Sequence, residues 1–98
     1  MLSLILGCTQ PYKGYLARML SSVPVEIPVF VAHQVGDDLS GMPRPFVGVP
    51  VDAPFTRGVY LNRAAVSASG TYIQIGDADF MYPPHYFDFV RHYLSSVK

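Results

Sequence analysis

Short apolar segments alternate with segments of helical periodicity along this chain, and this order restricts the folds that it can adopt. Residues 2–6 are apolar except for one serine and end at Gly7, which is typical of a strand buried on both faces of a sheet. From Tyr12 to Val23 the apolar residues keep helical spacing and Pro24 follows, so we expect a helix that ends there. A strand, a helix and a further strand in this order favour parallel pairing within one sheet.

The same alternation continues through the rest of the chain. In chain order we predict a strand at 27–32, a turn-rich segment at 35–45, a strand at 46–49, a loop at 50–54, a helix at 57–69, a strand at 71–75 and an amphipathic helix at 86–97. Gly70 is expected to be the left-handed cap of the second helix. The predicted fold class is therefore α/β, an open and mostly parallel sheet with helices on both faces, and residues 1–98 are expected to form a single domain.

The composition argues against several classes of protein. Half of the 98 residues are hydrophobic, 14% are charged and the formal net charge is zero, so the basic surface of a nucleic-acid-binding protein is missing. No apolar run reaches the length of a membrane span. Cys8 is the single cysteine, and the segment before it is too short and lacks the positive charge of a signal peptide. We expect a cytoplasmic protein without a nucleic-acid partner or a membrane span.

Two carboxylates follow directly on the last predicted strand. Asp77 and Asp79 lie on the turn after it, separated by Ala78, and the carboxyl ends of strands are where open α/β sheets bind ligands. Their hard oxygen atoms suit Mg²⁺ or Mn²⁺, which keep waters and take further ligands from a substrate phosphate. A solvated turn that caps the following helix is the alternative.

A second loop is expected to meet this motif. If the second strand lies beside the first, and the fourth lies on the first strand's other side, the strand order reverses between the first and fourth strands. The loop Thr9-Gln10-Pro11 after the first strand then flanks the same crevice as Asp77-Ala78-Asp79. These two segments form the core of the predicted ligand site.

Several segments occur in an order that resembles the family 2 glycosyltransferases, most of all their galactosyltransferase and chondroitin-polymerase branch. The segments are Pro54 to Ala64 with a helical Asn62, Ala68-Ser69-Gly70 at the end of that helix, and Asp77-Ala78-Asp79-Phe80. The first strand and the loop Thr9-Gln10-Pro11 are similar to the family's first strand and nucleotide-binding loop. The resemblance covers nearly all of the chain.

The resemblance implies a GT-A fold, represented here by its nucleotide-binding half, with a sugar-nucleotide donor such as a UDP-sugar and a divalent metal ion, commonly Mn²⁺. By position, Asp77 and Asp79 match the metal and donor-ribose motif, and Asn62 matches the helix residue that faces the nucleoside. The loop Thr9-Gln10-Pro11 matches the loop around the nucleoside. The implied function is that of a minimal glycosyltransferase acting on an unknown acceptor. A binding module without transfer, and a structural or interaction protein that keeps the fold, are the alternatives.

The chain departs from the family at two points. Its second strand ends in Ala32-His33-Gln34, where the family usually has an acidic pair that contacts the base, although Asp37 and Asp38 follow shortly and could substitute. The sequence also stops at Lys98, where members of the family continue with the half that holds the acceptor site and the usual catalytic base. We therefore expect a donor-binding half, and we identify no catalytic base.

Basic side chains near these segments have two interpretations each. Arg57 and Arg63 could bind a diphosphate, whose geometry a guanidinium matches, or be exposed helix arginines. His85 could be a third metal ligand or a plain surface histidine. His33, at a strand end, could contact a nucleoside or be a partly buried neutral side chain.

The last predicted helix has more apolar residues than one buried face needs. Tyr86 and Phe89 fall away from the stripe formed by Val90, Leu94 and Val97, so part of a ring-rich surface is expected to face outwards. Such patches on small proteins mark interaction sites, and twofold symmetry is the commonest way to cover one. We expect a homodimer, with a different chain that supplies the missing half as the alternative.

Overall fold

The computed structural model describes residues 2–96 of the chain. Within these residues lie, in chain order, β1 (Leu2–Gly7), a 3₁₀ turn (Gln10–Tyr12), α1 (Lys13–Ser21), β2 (Val29–Gln34), β3 (Val47–Val51), α2 (Arg57–Ser67), β4 (Tyr72–Ile75) and α3 (Tyr86–Ser95). Val97, which the predicted final helix includes, lies outside the described residues, as do Met1 and Lys98.

The four strands of the described residues form one parallel sheet in the order β3-β2-β1-β4. Leu4, at the centre of β1, lies opposite Val29 of β2 and Gln74 of β4. The α/β class and the parallel sheet are thus confirmed, as is the expected reversal of strand order between β1 and β4. This architecture is compatible with a minimal Rossmann-like half-domain.

Alternate side chains of β1 enter two separate cores, one on each face of the sheet. Leu4 belongs to a core with Leu16 of α1 and Phe87 of α3. On the other face, Ile5 belongs to a core with Tyr60 of α2. Helices therefore cover both faces of β1, which is why its sequence is almost wholly apolar.

Ser3 is the polar exception in β1, and its side chain is fully buried. The Ser3 hydroxyl donates a hydrogen bond to the backbone carbonyl of Ser69, in the segment between α2 and β4. This bond satisfies a polar group that would otherwise be costly to bury. It also ties the approach to β4 to the central strand.

The boundaries of β2 and β3 differ from the predicted ones. β2 begins at Val29 because a turn precedes it, in which the Ile27 N–H donates to the Pro24 carbonyl. It continues to Gln34 because its last residues pair with β3. β3 contains Pro50, which cannot donate a backbone hydrogen bond and is tolerated because β3 lies at an edge of the sheet.

The end of α2 also differs from the prediction. The helix stops at Ser67, and its C-cap, Ala68, is already extended. Gly70 has the predicted positive φ, at 108°, but it lies two residues beyond the cap. Gly70 therefore turns the chain into β4 instead of capping α2.

The helices are short, between 9 and 11 residues. Between residues 2 and 96 there is no helix whose length and apolar character would let it cross a membrane.

Within residues 2–96, one face of β4 is only partly covered. α2 packs against β1, β2 and β3, on the face of the sheet that Ile5 enters. On β4 the side chains alternate, so that Tyr72 and Gln74 are half-buried whereas Ile73 and Ile75 are 45% and 57% exposed. The described residues thus leave two isoleucines uncovered at one edge of the sheet.

Candidate functional site

A crevice opens at the carboxyl ends of β1 and β4, where the strand order reverses. It has a volume of about 370 Å³ and is lined by residues from four segments of the chain: Gly7, Cys8, Thr9, Tyr12, Tyr15, Phe55, Asp77, Ala78 and Asp79. Among the predicted site residues, Thr9 and the Asp77-Ala78-Asp79 motif therefore lie on the walls of one crevice.

Five other predicted residues do not line this crevice: Gln10, Pro11, Arg57, Asn62 and Arg63. Gln10 and Pro11 are exposed in the 3₁₀ turn, and the Gln10 Oε1 atom accepts a hydrogen bond from the Asp38 N–H at 3.0 Å. Asn62 and Arg63 are exposed on α2. Gln10 thus joins the loop after β1 to the loop after β2, a structural contact rather than a wall of the crevice.

Arg57 reaches the aspartate motif from the first residue of α2. Its Nε atom lies 3.2 Å from Oδ1 of Asp77, and both side chains are more than half exposed. A guanidinium therefore lies beside Asp77, one of the two carboxylates that line the crevice. A guanidinium is suited to phosphate oxygens and a carboxylate to a hard cation, so this arrangement can recognise both parts of a metal-bound diphosphate.

Aromatic rings form a wall that the sequence did not assign to the site. Tyr12 and Tyr15 fit the helical spacing of apolar residues in the first predicted helix. The structure places both on the crevice, with their ring centroids 6.4 Å apart. Phe55 faces them from the segment before α2 and packs edge-on against the buried Tyr60, at 4.8 Å between centroids. The sequence contained one signal for Tyr12, since it is an aromatic residue directly after Thr9-Gln10-Pro11, the loop predicted to surround the nucleoside.

Gly7 allows the Phe55 ring to approach the floor of the crevice. A Cβ atom at Gly7 would lie 3.0 Å from Cε2 of Phe55 and 3.0 Å from Cβ of Tyr60. Both distances are shorter than ordinary contacts between carbon atoms. The glycine at the end of β1 therefore helps to set the shape of the crevice.

Cys8 lies on the floor of the crevice, and its thiol has low reactivity. Its side chain is 3% exposed. Burial, with a smaller contribution from the charge of Asp37, raises the pKa of the thiol from 9.0 to about 11. Since the thiolate is the reactive form, burial lowers the reactivity of Cys8 at neutral pH.

The aspartates after β2 support a turn close to the crevice. The Asp37 Oδ2 atom accepts a hydrogen bond from the Gln34 N–H at 3.0 Å. Hydrogen bonds from Ser40 lower the pKa of Asp38, and its Oδ1 atom accepts from the Ser40 N–H at 2.9 Å. Asp37 is close enough to the crevice for its charge to act on the Cys8 thiol.

The donor set for a metal ion is limited to carboxylates. Among residues 2–96, no group of three or more His, Cys, Asp or Glu side chains could hold a metal ion. Asp77 and Asp79 are exposed and offer hard oxygen atoms, which fit Mg²⁺ or Mn²⁺ if water and phosphate complete the coordination. A cation bound there would compete with Arg57 for Asp77.

Neither the capping alternative for the motif nor a metal-ligand role for His85 is seen. α3 begins after His85, which has a φ of 65° as its N-cap, and no side chain caps the helix. The His85 Nδ1 atom lies 3.5 Å from Oδ2 of Asp88, and its side chain is 88% exposed. His85 is therefore a surface residue that pairs with Asp88 in the first turn of α3. The Asp77-Ala78-Asp79 motif does not cap α3.

Comparisons with protein-family models, with curated protein sequences and with solved structures found no match to this chain. The resemblance to family 2 glycosyltransferases rests on the residues quoted above.

Proposed function

We propose that the crevice binds a nucleotide-diphosphate sugar, with a UDP-sugar favoured, and that the protein is a minimal glycosyltransferase. One observation carries this proposal: Thr9 and the Asp77-Ala78-Asp79 motif line the same crevice, at the point of the sheet where α/β proteins bind nucleotides. The order of segments that resembles family 2 glycosyltransferases supports the choice of ligand.

Each wall of the crevice suits one part of this ligand. The rings of Tyr12, Tyr15 and Phe55 offer flat surfaces against which a base and a ribose can pack. Asp77 and Asp79 would hold Mn²⁺ or Mg²⁺, which neutralises charge on a leaving diphosphate. The volume of about 370 Å³ falls within the usual range for small-molecule sites.

Donor binding and orientation are the part of the reaction that this chain supplies. In a sugar transfer, the oxygen of an acceptor hydroxyl bonds to the anomeric carbon, the bond from that carbon to the diphosphate breaks, and the hydroxyl proton passes to water. Arg57 can donate hydrogen bonds to the phosphate oxygens as charge leaves with them. The aromatic wall fixes the nucleoside end, so the sugar points away from the base towards the mouth of the crevice.

A nucleotide-sugar-binding module without transfer is the second candidate. Cys8 keeps its proton at neutral pH because burial raises its pKa to about 11, and Asp77 and Asp79 are assigned to the cation. The described residues that line the crevice then leave no carboxylate to act as a general base. This lining is what a binding module without transfer needs, and a structural or interaction role for a retained fold is the third candidate.

We also propose a cytoplasmic location and a homodimer. The exposed rings of Phe89 and Tyr93 on α3, at 69% and 60%, support self-association, because large exposed apolar side chains grouped on a small protein mark interaction sites.

Thermal unfolding with UDP-sugars and GDP-sugars, each with and without Mn²⁺, tests the proposal. A ligand that binds only the folded chain stabilises it by about 2.7 kcal/mol at a hundred times its Kd. We expect a UDP-sugar with Mn²⁺ to raise the melting temperature of the native chain. An Asp77→Asn/Asp79→Asn double variant should lose this shift, whereas Asp52→Asn, at an exposed aspartate outside the crevice, should keep it.

The results separate the three candidates. Release of UDP from the sugar nucleotide by the native chain, lost in the double variant, supports the glycosyltransferase. Stabilisation without any release supports the binding module. No stabilisation by any nucleotide leaves only the structural role.

A further inference from the structure

β4 presents one unpaired backbone edge within residues 2–96. It is the last strand in the order β3-β2-β1-β4, and on its inner side the Gly76 N–H donates to the Ile5 carbonyl at 2.9 Å. Successive residues of a strand direct their backbone groups to opposite sides, so Gln74 faces β1 as Gly76 does. The N–H and C=O groups of Ile73 and Ile75 therefore point away from β1.

This edge lacks the features that usually keep a strand from pairing with another chain. The opposite edge strand, β3, carries Gly48 and Pro50, and proline blocks a ladder hydrogen bond. The Tyr72–Ile75 segment contains no proline, glycine or charge. The side chains of Ile73 and Ile75 add exposed apolar surface on the face that α2 leaves uncovered.

Aromatic side chains flank the same edge on the other face of the sheet. The Tyr86 hydroxyl accepts a hydrogen bond from Nε2 of Gln74 at 2.8 Å, which fixes one flank of α3 over β4. The other flank carries Arg91, which pairs with Glu26. Tyr93 lies two turns after Tyr86 on the β4 flank, and it is 60% exposed. The edge of β4 is thus flanked by isoleucines on one face and by aromatic rings on the other.

We propose that β4 pairs antiparallel with β4 of a second copy of this chain, across a twofold axis at Gln74. In this register Ile73 lies opposite the partner's Ile75, and the backbone groups of both point across the interface. Such residues form hydrogen-bonded pairs, whereas the two Gln74 residues face each other as a non-hydrogen-bonded pair. The sheet then runs from one copy into the other.

The charges near the edge favour a second copy as the occupant. Around the twofold axis at Gln74, Asp77 lies opposite the partner's Thr71, so the exposed aspartate does not oppose its own counterpart. The chain has a formal net charge of zero, so two copies do not repel each other at long range. The isoleucines of the two copies form one cluster, and the α3 helices bring their Phe89 and Tyr93 side chains to the same face.

Sedimentation equilibrium on the full chain tests the proposal. We expect the native chain at tens of micromolar to have twice the monomer mass of 10.8 kDa. An Ile73→Lys/Ile75→Lys variant places charges at the edge and should be monomeric, because both positions are exposed and outside the cores. The matched control, Val25→Lys/Val66→Lys, adds the same charges at two exposed sites outside β4 and should remain dimeric.

Circular dichroism establishes that the lysine variants are folded before they are compared. A native chain that stays monomeric throughout this range overturns the proposal. So does an Ile73→Lys/Ile75→Lys variant that is as dimeric as the control.

Cross-linking tests the register independently. The Cα atoms of a non-hydrogen-bonded pair lie about 4.5 Å apart, within the range that a disulfide spans. A Gln74→Cys variant should therefore form a covalent dimer on mild oxidation, whereas Val66→Cys, exposed on α2, should not. If the native chain is dimeric but Gln74→Cys fails to cross-link, the register across Gln74 is wrong.

Discussion

Arg57 and Asp77 form an ion pair beside the crevice. Their 3.2 Å contact is made by two largely exposed side chains, and such surface pairs contribute little to stability. Separating them costs little, so Asp77 can turn to a cation and Arg57 to a phosphate when a metal-bound diphosphate enters. Under the proposed function the two residues would act as one recognition unit.

Replacing Arg57 with alanine is expected to weaken the binding of UDP in the presence of Mn²⁺ by ten- to a hundredfold. A hydrogen bond to a charged group contributes about 1.5–3 kcal/mol, and this change removes it. Titration calorimetry measures the affinity. Arg63→Ala is the matched control, since Arg63 lies on the same helix and is exposed, whereas Arg57 is the arginine that contacts Asp77. Equal losses in the two variants would count against a role for Arg57 in phosphate binding.

Some residues of the crevice could be predicted from the sequence, and others could not. Asp77 and Asp79 could be predicted as site residues because carboxylates directly after an apolar strand are unusual and because their oxygen atoms suit a metal ion. Tyr12 and Tyr15 could not be chosen in the same way, since helical spacing shows which residues share a flank but not which elements cover that flank. Tyr86 was expected to face outwards, yet it is half-buried and holds Gln74, because a tyrosine can pack its ring and still reach a polar partner.

Among the elements, β1 is the most constrained, and Gly7 is its critical end. Gly7→Ala should destabilise the fold by about 1–3 kcal/mol, the usual cost of overpacking, because the added Cβ meets Phe55 and Tyr60 at 3.0 Å. Gly14→Ala is the control: no atom lies within 4 Å of a Cβ added there, in α1, and alanine should stabilise the helix by up to about 1 kcal/mol. Urea denaturation compares the two variants. A Gly7→Ala protein as stable as the native one would mean that Phe55 moves freely.

The order of the elements was predictable, whereas several of their ends were not. The apolar character of β1 and the helix after it specify parallel pairing, and the connection rules then leave few strand orders. The end of β2 depends on its pairing with β3, and α2 ends two residues early because the chain must turn at Gly70. These ends are decided by tertiary contacts, which a local sequence pattern does not contain.

The whole molecule is expected to lose stability in alkaline solution. Burial raises the pKa of Cys8 to about 11 and, with the nearby Tyr86 and Asp77, that of Tyr82 to about 12, from 9.0 and 10.0. Because both pKa values are higher in the folded chain, the stability they contribute is complete below pH 9 and is lost as the pH rises towards 12. The urea midpoint should therefore fall steeply across this interval.

Two tyrosine variants test the source of this loss. Tyr82→Phe keeps the ring in the core but removes the phenol, so its stability should fall less between pH 10 and 12 than that of the native chain. Tyr93→Phe, at an exposed ring, should follow the native profile. Identical profiles for all three proteins would show that Tyr82 does not govern the alkaline transition.

The position of β1 at the middle of the sheet determines when the crevice can exist. Leu2 of β1 pairs with Tyr72 of β4, which follows it by about seventy residues in the chain. Long-range contacts of this kind slow folding. A chain emerging from the ribosome can close the β1–β2 unit early, but its β1 edge stays open. Until Tyr72–Ile75 docks there, Thr9 has no aspartates beside it, and the crevice is the last part of the sheet to be completed.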